Sequence, residues 1–395
     1  MKLSELLKQK ILLSDGSMGA LLASMGYKDS CPDALSVTHP EVIRGIHRSY
    51  LDAGADIVIA NSFGSAEPVL SHKGYAGKSA EFTRAAVKNA RAEAGSAALV
   101  AVDMGPTGEF IYPVGAHSFE DVYGWFFVQA QAAKEAGADF AYIETQTDLA
   151  ECRAACLAAR DAGLEAIASF SVSAKGRTLT GASVEACGVS LEAAGATAVG
   201  FNCSVGPNEL VECTRRLFCV TSLPIAVQPN AGLPVMGADG SVSYPFTPEE
   251  MENGMHLILQ AGASLIGGCC GTTPEHIRRL KPLSGGPVPE TPKKETEYLA
   301  SARQCFKAEE ALYCPEDIGD PEDAYDADED STCLRVDASA FTPKMLLELS
   351  SYTSLPLLLH GGSADQLRAL LRVYPGRAAV EGQPEAARAF GALSV

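Results

Sequence analysis

Three cysteines are the residues in this chain best suited to chemistry. Cys269 and Cys270 are adjacent, lie between glycines and follow an apolar run typical of a buried strand. Adjacent cysteines do not normally bridge each other, and their thiolates are good ligands for a soft divalent metal. Cys203 follows another short apolar run and is the candidate third ligand. The sequence therefore predicts a metal site formed by Cys203, Cys269 and Cys270.

Zinc is the metal that such a site favours, because thiolates suit it and the site requires no redox change. Three thiolates leave one position of a tetrahedral zinc ion open, which is typical of a catalytic site. A thiol substrate would fit there and be held as a thiolate near neutral pH, below the usual thiol pKa of about 8.5. Such a thiolate can attack a methyl carbon. Packing in the core is the alternative explanation, but it accounts poorly for an adjacent pair flanked by glycines.

Short β-rich apolar runs alternate with helical stretches from residue 11 to about residue 283. The predicted strands lie at 11–14, 56–60, 99–103, 140–144, 165–170, 198–201, 224–228 and 264–267. Helices are predicted at 80–94, 119–136, 149–162, 184–194, 208–218, 248–260 and 274–280. An Ala-Gly-Ala signature closes three of these helices, and a fourth copy at 53–55 precedes the second strand; glycine is the expected C-cap of a helix at each place. The pattern predicts a (β/α)8 TIM barrel. A doubly wound open sheet is the alternative, but no Gly-x-Gly-x-x-Gly follows the first strand.

Chemistry in a TIM barrel lies at the C-terminal ends of the strands, so polar residues at those ends are the candidate site residues. Besides the cysteines and the stretch 103–108, they are Asp15, Gly16, Ser17, Asn61, Glu144 and Asn230. A buried Glu144 requires a cation, and a substrate ammonium is the natural partner for it and for Asp15. The turn at 16–19 offers N–H groups to a carboxylate. A helix N-cap role for Asp15 and a structural ion pair for Glu144 are the alternatives.

Composition limits the partners of the protein. The chain has 395 residues, a net charge of −18 and a pI near 4.8, which argue against nucleic acid or an anionic membrane as partner. No apolar segment approaches the roughly 20 residues that span a membrane, and none resembles a signal peptide. The first residues predict a short amphipathic helix. Twelve cysteines without a signal peptide are expected to be free thiols in the cytoplasm.

The chain divides into three predicted parts. Residues 1–283 form the barrel, and residues 284–332 form a linker followed by an acidic stretch that is expected to be a solvated loop. Residues 333–395 predict a small βαβαβ extension with strands at 334–337, 356–360 and 377–381 and helices at 344–349 and 364–371. Three strands are too few to close a barrel.

Several longer motifs resemble those of the homocysteine S-methyltransferases. They are Asp-Gly-Ser-Met-Gly at 15–19, Asn-Ser-Phe-Gly at 61–64, Gly-Pro-Thr-Gly at 105–108, Glu-Thr at 144–145, Asn-Cys-Ser-Val-Gly-Pro at 202–207, Pro-Asn-Ala-Gly-Leu-Pro at 229–234 and Gly-Gly-Cys-Cys-Gly-Thr-Thr-Pro-Glu-His-Ile at 267–277. Within the family, the chain looks most like the homocysteine-binding module of cobalamin-dependent methionine synthase. Two departures are Ala20 and Ser62, where the family usually has threonine.

The resemblance implies roles for the candidate residues. Cys203, Cys269 and Cys270 would bind Zn²⁺, while Asp15 and Glu144 would hold the amino-acid end of homocysteine. Asn230 would cap the zinc ion in the absence of substrate. The extension at 333–395 loosely resembles a degenerate fragment of a pterin-binding barrel.

The predicted function is zinc-dependent methyl transfer to the thiol of homocysteine, giving methionine. The expected donor is methylcobalamin on a separate corrinoid protein, because no cobalamin module is recognised in this sequence. Direct transfer from S-methylmethionine or betaine is the alternative within enzymes. A homocysteine-binding or zinc-binding partner subunit without catalysis is the alternative outside them.

Overall fold

The structure, a computed structural model, describes residues 2–27, 31–237, 242–290 and 296–395. Its main part is an eight-stranded parallel sheet whose strands follow one another in chain order. The strands are β1 (Leu12–Leu13), β2 (Ile57–Ile59), β3 (Leu99–Met104), β4 (Phe140–Gln146), β5 (Glu165–Phe170), β6 (Ala198–Asn202), β7 (Ile225–Gln228) and β8 (Ala263–Ile266). A parallel bridge between Ser14 and Ile57 joins β1 to β2, so the sheet nearly closes into a barrel. The predicted barrel is confirmed.

Helices surround this sheet, and the first of them packs against its lower end. They are Leu3–Leu6, Met18–Ser24, Leu35–Thr38, Pro40–Asp52, Glu67–His72, Ser79–Ala94, Phe119–Ala136, Leu149–Asp161, Val184–Ala193, Pro207–Val220, Pro248–Gln260 and Pro274–Leu280, with 3-10 turns at Pro32–Ala34 and Lys281–Leu283. Local chemistry sets their ends: Phe119–Ala136 begins at a capping box of Ser118 and Asp121 and ends at Gly137, which has a left-handed φ of 94°. Among the described helices, none has both the length and the apolar character needed to cross a bilayer.

The interior of the barrel is apolar at its lower end and polar at its upper end. At the lower end, Leu3 and Leu7 pack against inward-facing strand residues such as Phe140 and Tyr142. These apolar side chains fill that end of the barrel. Strand side chains alternate between the two faces of the sheet, so each inward series continues to the carboxyl end of its strand. These upper positions hold Ser14, Asp103, Glu144, Ser169, Asn202 and Gln228. This polar layer forms the floor of the candidate site.

A smaller parallel sheet follows the barrel. Its strands are β9 (Pro315–Ile318), β10 (Cys333–Asp337), β11 (Leu357–His360), β12 (Ala379–Val380) and β13 (Leu393–Ser394). Its helices are Ala308–Ala311, Pro343–Tyr352, Ala364–Val373 and Pro384–Ala389. Two antiparallel hairpins complete the structure, Val235–Met236 with Val242–Ser243 and Tyr298–Ala300 with Cys305–Lys307. The predicted βαβαβ extension is present with one further strand, β13, and β9 from the acidic stretch before it adds another to the same sheet.

One prediction for the linker region is wrong. The acidic stretch 315–330 was expected to be a solvated loop, but it contains β9 and a 3-10 helix, Pro321–Tyr325. β9 is an edge strand that pairs only with β10, so its backbone forms hydrogen bonds along one side. Most of its charged side chains stay in contact with solvent. Residues 291–295 of the predicted linker lie outside the described residues, and the domain boundaries at 283 and 333 stay predictions.

Arg153 connects the outer wall of the barrel to the smaller sheet. Its guanidinium, 1% exposed, donates from Nη2 to the carbonyl of Leu371 (2.7 Å) and from Nε to that of Arg372 (3.2 Å). These carbonyls belong to the last turn of Ala364–Val373, where carbonyls have no partner within the helix and a cation is favourable. Burial lowers the pKa of Arg153 to about 10. The side chain therefore holds the extension against the barrel.

We expect Arg153→Ala to lower the free energy of unfolding by about 2–4 kcal/mol. The change leaves two carbonyls without a charged donor and opens a cavity. Urea unfolding followed by circular dichroism measures it. Arg215→Ala is the control, because Arg215 pairs with Glu212 at the surface and is expected to cost less than about 1 kcal/mol. Equal midpoints for the two variants would show that Arg153 does not hold the extension.

Candidate active site

The three predicted cysteines meet at the upper end of the barrel. Cys203 directly follows β6, and Cys269 and Cys270 follow β8. Their three Sγ atoms all lie within 4.8 Å of one another, and the Sγ atoms of Cys203 and Cys270 are 3.7 Å apart. All three are partly exposed free thiols. The structure therefore brings the sulfur of Cys203 to a cysteine pair that begins 66 positions later in the chain.

The strand between them, β7, and the two residues after it accept hydrogen bonds from the backbone of all three cysteines. The N–H of Cys203 donates to Gln228 O (3.1 Å), and that of Cys269 donates to Pro229 O (2.9 Å). The N–H of Cys270 donates to the side-chain Oδ1 of Asn230 (3.1 Å). Cys203 has a φ of 60°, a left-handed conformation that is uncommon for residues other than glycine. This unusual conformation is held by the neighbouring strand and lies at the predicted metal site.

Two glycines before the cysteine pair are required by close approach. A Cβ on Gly267 would lie 1.9 Å from Ser14 Oγ, and one on Gly268 would lie 2.5 Å from Thr272 Oγ1. A side chain at position 267 would push the end of β8 away from the end of β1, and one at position 268 would displace Thr272 in the loop after the cysteine pair. The glycines that make the motif conspicuous in the sequence thus seat the cysteine pair against the start of the barrel.

The donor set fits a soft divalent metal. Hydrogen bonds from Cys203 and then Cys269 lower the pKa of the Cys270 thiol to about 3, so a thiolate is already favoured among the three sulfurs. Three sulfurs at these separations can share one ion at the usual zinc–sulfur distance of about 2.3 Å after small side-chain rotations. Thiolate ligands favour zinc over the hard cations magnesium and calcium. The three cysteines would hold the ion, and the cavity beside them leaves room for a further ligand.

That cavity has a volume of about 370 Å³ and contains most of the predicted site residues. Asp15, Gly16, Ser17, Asn61, Glu144 and the three cysteines line it. Asn230 does not line the cavity. Its side-chain Oδ1 instead accepts a hydrogen bond from the Cys270 N–H. A role for Asn230 as a zinc ligand stays a prediction, as do the substrate-binding roles of the other residues.

Glu144 lies at the centre of a polar network in the floor of the cavity. Asn202 Nδ2 donates to Glu144 Oε2 (2.9 Å) and to Thr145 Oγ1 (2.7 Å). Asn202 Oδ1 accepts from the Thr145 N–H (2.7 Å) and from Ser169 Oγ (2.9 Å). A single amide, next to Cys203 in the chain, therefore orients Glu144.

Glu144 shares this floor with a second carboxyl group, that of Asp103. Burial raises the pKa of Glu144 to about 7, and a hydrogen bond with Asp103 opposes part of that rise. Burial and the charge of Glu144 raise the pKa of Asp103 well above its usual range. Among the described residues, Oδ1 of Asp103 is buried and has no hydrogen-bond partner. Two buried carboxyl groups this close do not ionise together easily, and a nearby cation would favour their charged forms.

The other predicted residues have defined structural partners. Asp15 Oδ2 accepts from the Ile59 N–H (2.9 Å), while Ser17 caps the helix Met18–Ser24 by accepting from Ala20 N (3.1 Å). The alternative that Asp15 is the helix N-cap is therefore wrong. Asn61 Nδ2 donates to Pro32 O (2.8 Å), which fixes the loop after β2.

The sequence prediction gave no individual role to three contributors to the site: Asp103, Asn202 and Lys73. Asp103 stood in the candidate stretch 103–108 and Asn202 stood in a quoted motif. The alternation of strand side chains could have identified both, since each lies two positions after an inward residue, Ala101 or Gly200. Lys73 comes from the short helix-terminal segment after Glu67–His72 and lines the cavity through tertiary packing. No sequence pattern indicated it.

Comparison with known proteins places this geometry in a family. The sequence model of the homocysteine S-methyltransferases matches residues 12–283, which span every barrel strand. The chain belongs to the homocysteine S-methyltransferase family. The predicted resemblance is confirmed.

Two curated relatives of this homocysteine S-methyltransferase family member are methionine synthases. That of Mycobacterium leprae is 34% identical over 298 residues, covering 70% of this chain and 24% of the relative. That of Mycobacterium tuberculosis is 32% identical over 326 residues, covering 78% and 27%. The chain thus spans about a quarter of the length of these relatives.

The fold of the family is also seen in a solved relative. The oxidised form of the homocysteine methyltransferase MmuM from Escherichia coli matches with a TM-score of 0.60 at 27% identity, covering 69% of this chain and 96% of that one. Its metallated form matches with the same TM-score, covering 71% and 99%. The match accounts for the barrel of this family member.

Proposed function

We propose that this protein transfers a methyl group to the thiol of homocysteine, giving methionine. The observation that carries the proposal is one cavity lined both by three clustered cysteine sulfurs and by the Glu144–Asp103 carboxyl pair. The sulfurs suit a metal that binds a thiol, and the carboxyl pair suits an ammonium. Homocysteine carries both groups. Membership of the homocysteine S-methyltransferase family supports the same substrate.

The residues of the chain divide the work by their chemistry. Cys203, Cys269 and Cys270 would hold Zn²⁺, which when bound keeps a substrate thiol ionised near neutral pH. Glu144, oriented by Asn202, accepts the substrate ammonium together with Asp103 or Asp15. In the reaction the substrate sulfur forms a bond to the methyl carbon. The bond between that carbon and the donor breaks, and its electron pair leaves with the donor. The fixed carboxyl groups orient the sulfur for this displacement.

A parallel assay of donors tests the proposal. The zinc-loaded protein is incubated with homocysteine and with methylcobalamin, S-methylmethionine or betaine, and methionine is quantified. We expect methionine with one donor and a zinc content near one ion per chain. Zinc and homocysteine binding with no turnover for any donor, free or protein-bound, would identify a binding subunit instead.

For the donor, we propose methylcobalamin carried on a separate corrinoid protein. The support is an apolar rim around the mouth of the barrel, composed of residues on the loops that follow the strands. Eight of the fourteen large apolar side chains exposed in the described structure lie on these loops: Met25, Phe63, Phe110, Val114, Leu179, Leu233, Val235 and Met236. Exposed apolar side chains on several loops beside a site suit a protein contact and are unnecessary for a small polar donor.

We expect the double change Leu179→Ser and Met236→Ser to lower the methylation rate with a methylated corrinoid protein about tenfold. The two side chains are 77% and 68% exposed, so their loss should affect docking and leave the fold intact. The rate with free methylcobalamin should stay unchanged. Leu257→Ser, on the outer helix Pro248–Gln260, is the control. Equal loss with the free and the protein-bound donor would contradict docking at the rim.

A further inference from the structure

Left-handed backbone outside glycine is concentrated beside the cysteine cluster. Among the described residues, three other than glycine have a positive φ: Thr145 (57°), Cys203 (60°) and Ser204 (61°). Thr145 lies near the end of β4, and the other two directly follow β6. A left-handed conformation brings the Cβ of an L-residue close to its own backbone, so it persists only where neighbouring contacts hold it. The consecutive pair at 203–204 therefore requires support from the surrounding loops.

Ser204 is the central residue of a tight turn that directs Cys203. The Val205 N–H donates to the Cys203 carbonyl (2.7 Å), and the positive φ of Ser204 makes this the rarer and more strained form of the γ-turn. The turn reverses the chain as it leaves β6, and Cys203 Sγ then lies 3.7 Å from Cys270 Sγ. The position of the third sulfur therefore depends on this turn.

One side-chain contact adds to the backbone bonds that hold the turn. The Asn230 N–H donates to Val205 O (3.1 Å), a bond that forms with any residue at position 204. The hydroxyl group of Ser204, in contrast, makes a hydrogen bond with the hydroxyl group of Ser171 in the neighbouring loop. This contact is specific to the two serines and is partly buried.

Ser171 is itself anchored to the strand that carries Glu144. It directly follows β5, which lies between β4 and β6 in the sheet. Its N–H donates to the carbonyl of Gln146, the last residue of β4 (3.0 Å). Of these described residues, neither Ser171 nor Ser204 lines the cavity. Ser171 therefore links the end of β4 to the turn after β6 from outside the cavity.

We propose that Ser171 is a positioning residue for Cys203: through Ser204 it holds the left-handed turn that directs the third sulfur towards the metal. The inference rests on the proposed function, because it assumes that the three cysteines bind zinc. Residues that orient metal-binding side chains typically change metal affinity by about 10–100-fold. A contact that only stabilised the fold would act equally with and without the ion and would leave zinc affinity unchanged.

The zinc affinity of the full chain, measured by competition against a chromophoric chelator, tests this role. We expect Ser171→Ala and Ser204→Ala each to lower the affinity about tenfold. Because both changes break the same hydrogen bond, the double variant should lose no more than either single variant. Ser171→Thr keeps the hydroxyl group and should retain most of the affinity.

Cobalt absorption gives a second readout, since Co²⁺ binds to sites of this type in place of Zn²⁺. Its charge-transfer absorption grows with the number of bound thiolates. In Ser171→Ala this absorption should fall at saturating Co²⁺, because Cys203 is held less firmly. Ser171→Thr should keep the wild-type spectrum.

Ser173→Ala is the matched control. Ser173 is an exposed serine of the same loop, and its Oγ accepts from the Arg177 N–H (3.4 Å). Its loss should change neither the zinc affinity nor the cobalt spectrum. Unchanged zinc affinity in Ser171→Ala, or losses that add in the double variant, would overturn the positioning role while the wild type still binds zinc. If the wild type binds neither zinc nor cobalt, the metal site of the proposed function fails and this inference fails with it.

Discussion

Replacement of Cys270 by alanine is expected to reduce zinc affinity by about two to three orders of magnitude. Structural zinc sites with four protein ligands have apparent binding free energies of about 10–16 kcal/mol, so each ligand contributes several kcal/mol. Cys270 contacts Cys203, its Sγ lying 3.7 Å away, and its thiol is the one most easily ionised. Homocysteine binding should fall with the metal. Competition against a chromophoric chelator measures the affinity, and elemental analysis measures zinc content after purification.

The control for Cys270→Ala is Cys219→Ala. Cys219 is an exposed free thiol on the helix Pro207–Val220, so its loss removes a potential surface ligand without changing the cavity. We expect full zinc content and unchanged homocysteine affinity in this variant. The predicted metal site would be wrong if Cys270→Ala kept the wild-type zinc affinity. Circular dichroism that matches the wild type shows that the variant has folded.

The sequence was most informative about the barrel because its periodic signals have local causes. Glycine ends helices without a steric penalty, and the repeated Ala-Gly-Ala stretches therefore marked the boundaries between helices and strands. The predicted strand at 165–170 and the helices at 119–136, 248–260 and 274–280 coincide with the observed elements. Strand order then follows, because consecutive parallel strands joined by helices become neighbours.

The cysteine cluster was predictable for a different reason. An adjacent cysteine pair between glycines has few explanations, and strand order placed Cys203 two strands away at the same end of the barrel. The hydrogen bonds that hold the neighbouring residues in place were not predictable in the same way. Asn230 holds the Cys270 N–H, and Asn202 holds Glu144, through contacts that depend on loop conformation. Lys73 reaches the cavity from a connection between two strands, which no spacing rule covers.

The smaller sheet shows a second limit of sequence analysis. β9 has charged residues at two of its four positions, and β13 contains only two residues. Edge strands are stabilised by pairing on one side and tolerate charged side chains, so their hydrophobic pattern is weak. Only the central strands β10 to β12, which bury apolar side chains, gave a signal.

The pH dependence of the ligand-free protein is expected to change when Glu144 is replaced by glutamine. Burial raises the pKa of Glu144 to about 7, above the usual value of about 4.3 for glutamate, so the native state retains a proton that the unfolded state releases. The contribution to stability is therefore full below about pH 4 and is lost as the pH rises through about 7. In urea unfolding experiments between pH 5 and pH 8, Glu144→Gln should remove this decrease in the free energy of unfolding.

The affinity for homocysteine should depend on the same titration of Glu144 but change in the opposite direction from stability. It should increase as the pH rises, because the substrate ammonium requires an ionised carboxylate. In the wild type, affinity should rise between pH 6 and pH 8, and Glu144→Gln should lower it at pH 8 by about 30-fold or more, the usual cost of breaking a buried charge pair. Glu151→Gln is the matched control. Burial raises the pKa of Glu151 to about 7 as well, but this side chain accepts from Thr107 Oγ1 (2.6 Å) outside the cavity lining. It should alter the pH dependence of stability and leave homocysteine affinity unchanged. If both variants lowered affinity alike in calorimetry, Glu144 would be acting through stability, and the ammonium would bind elsewhere.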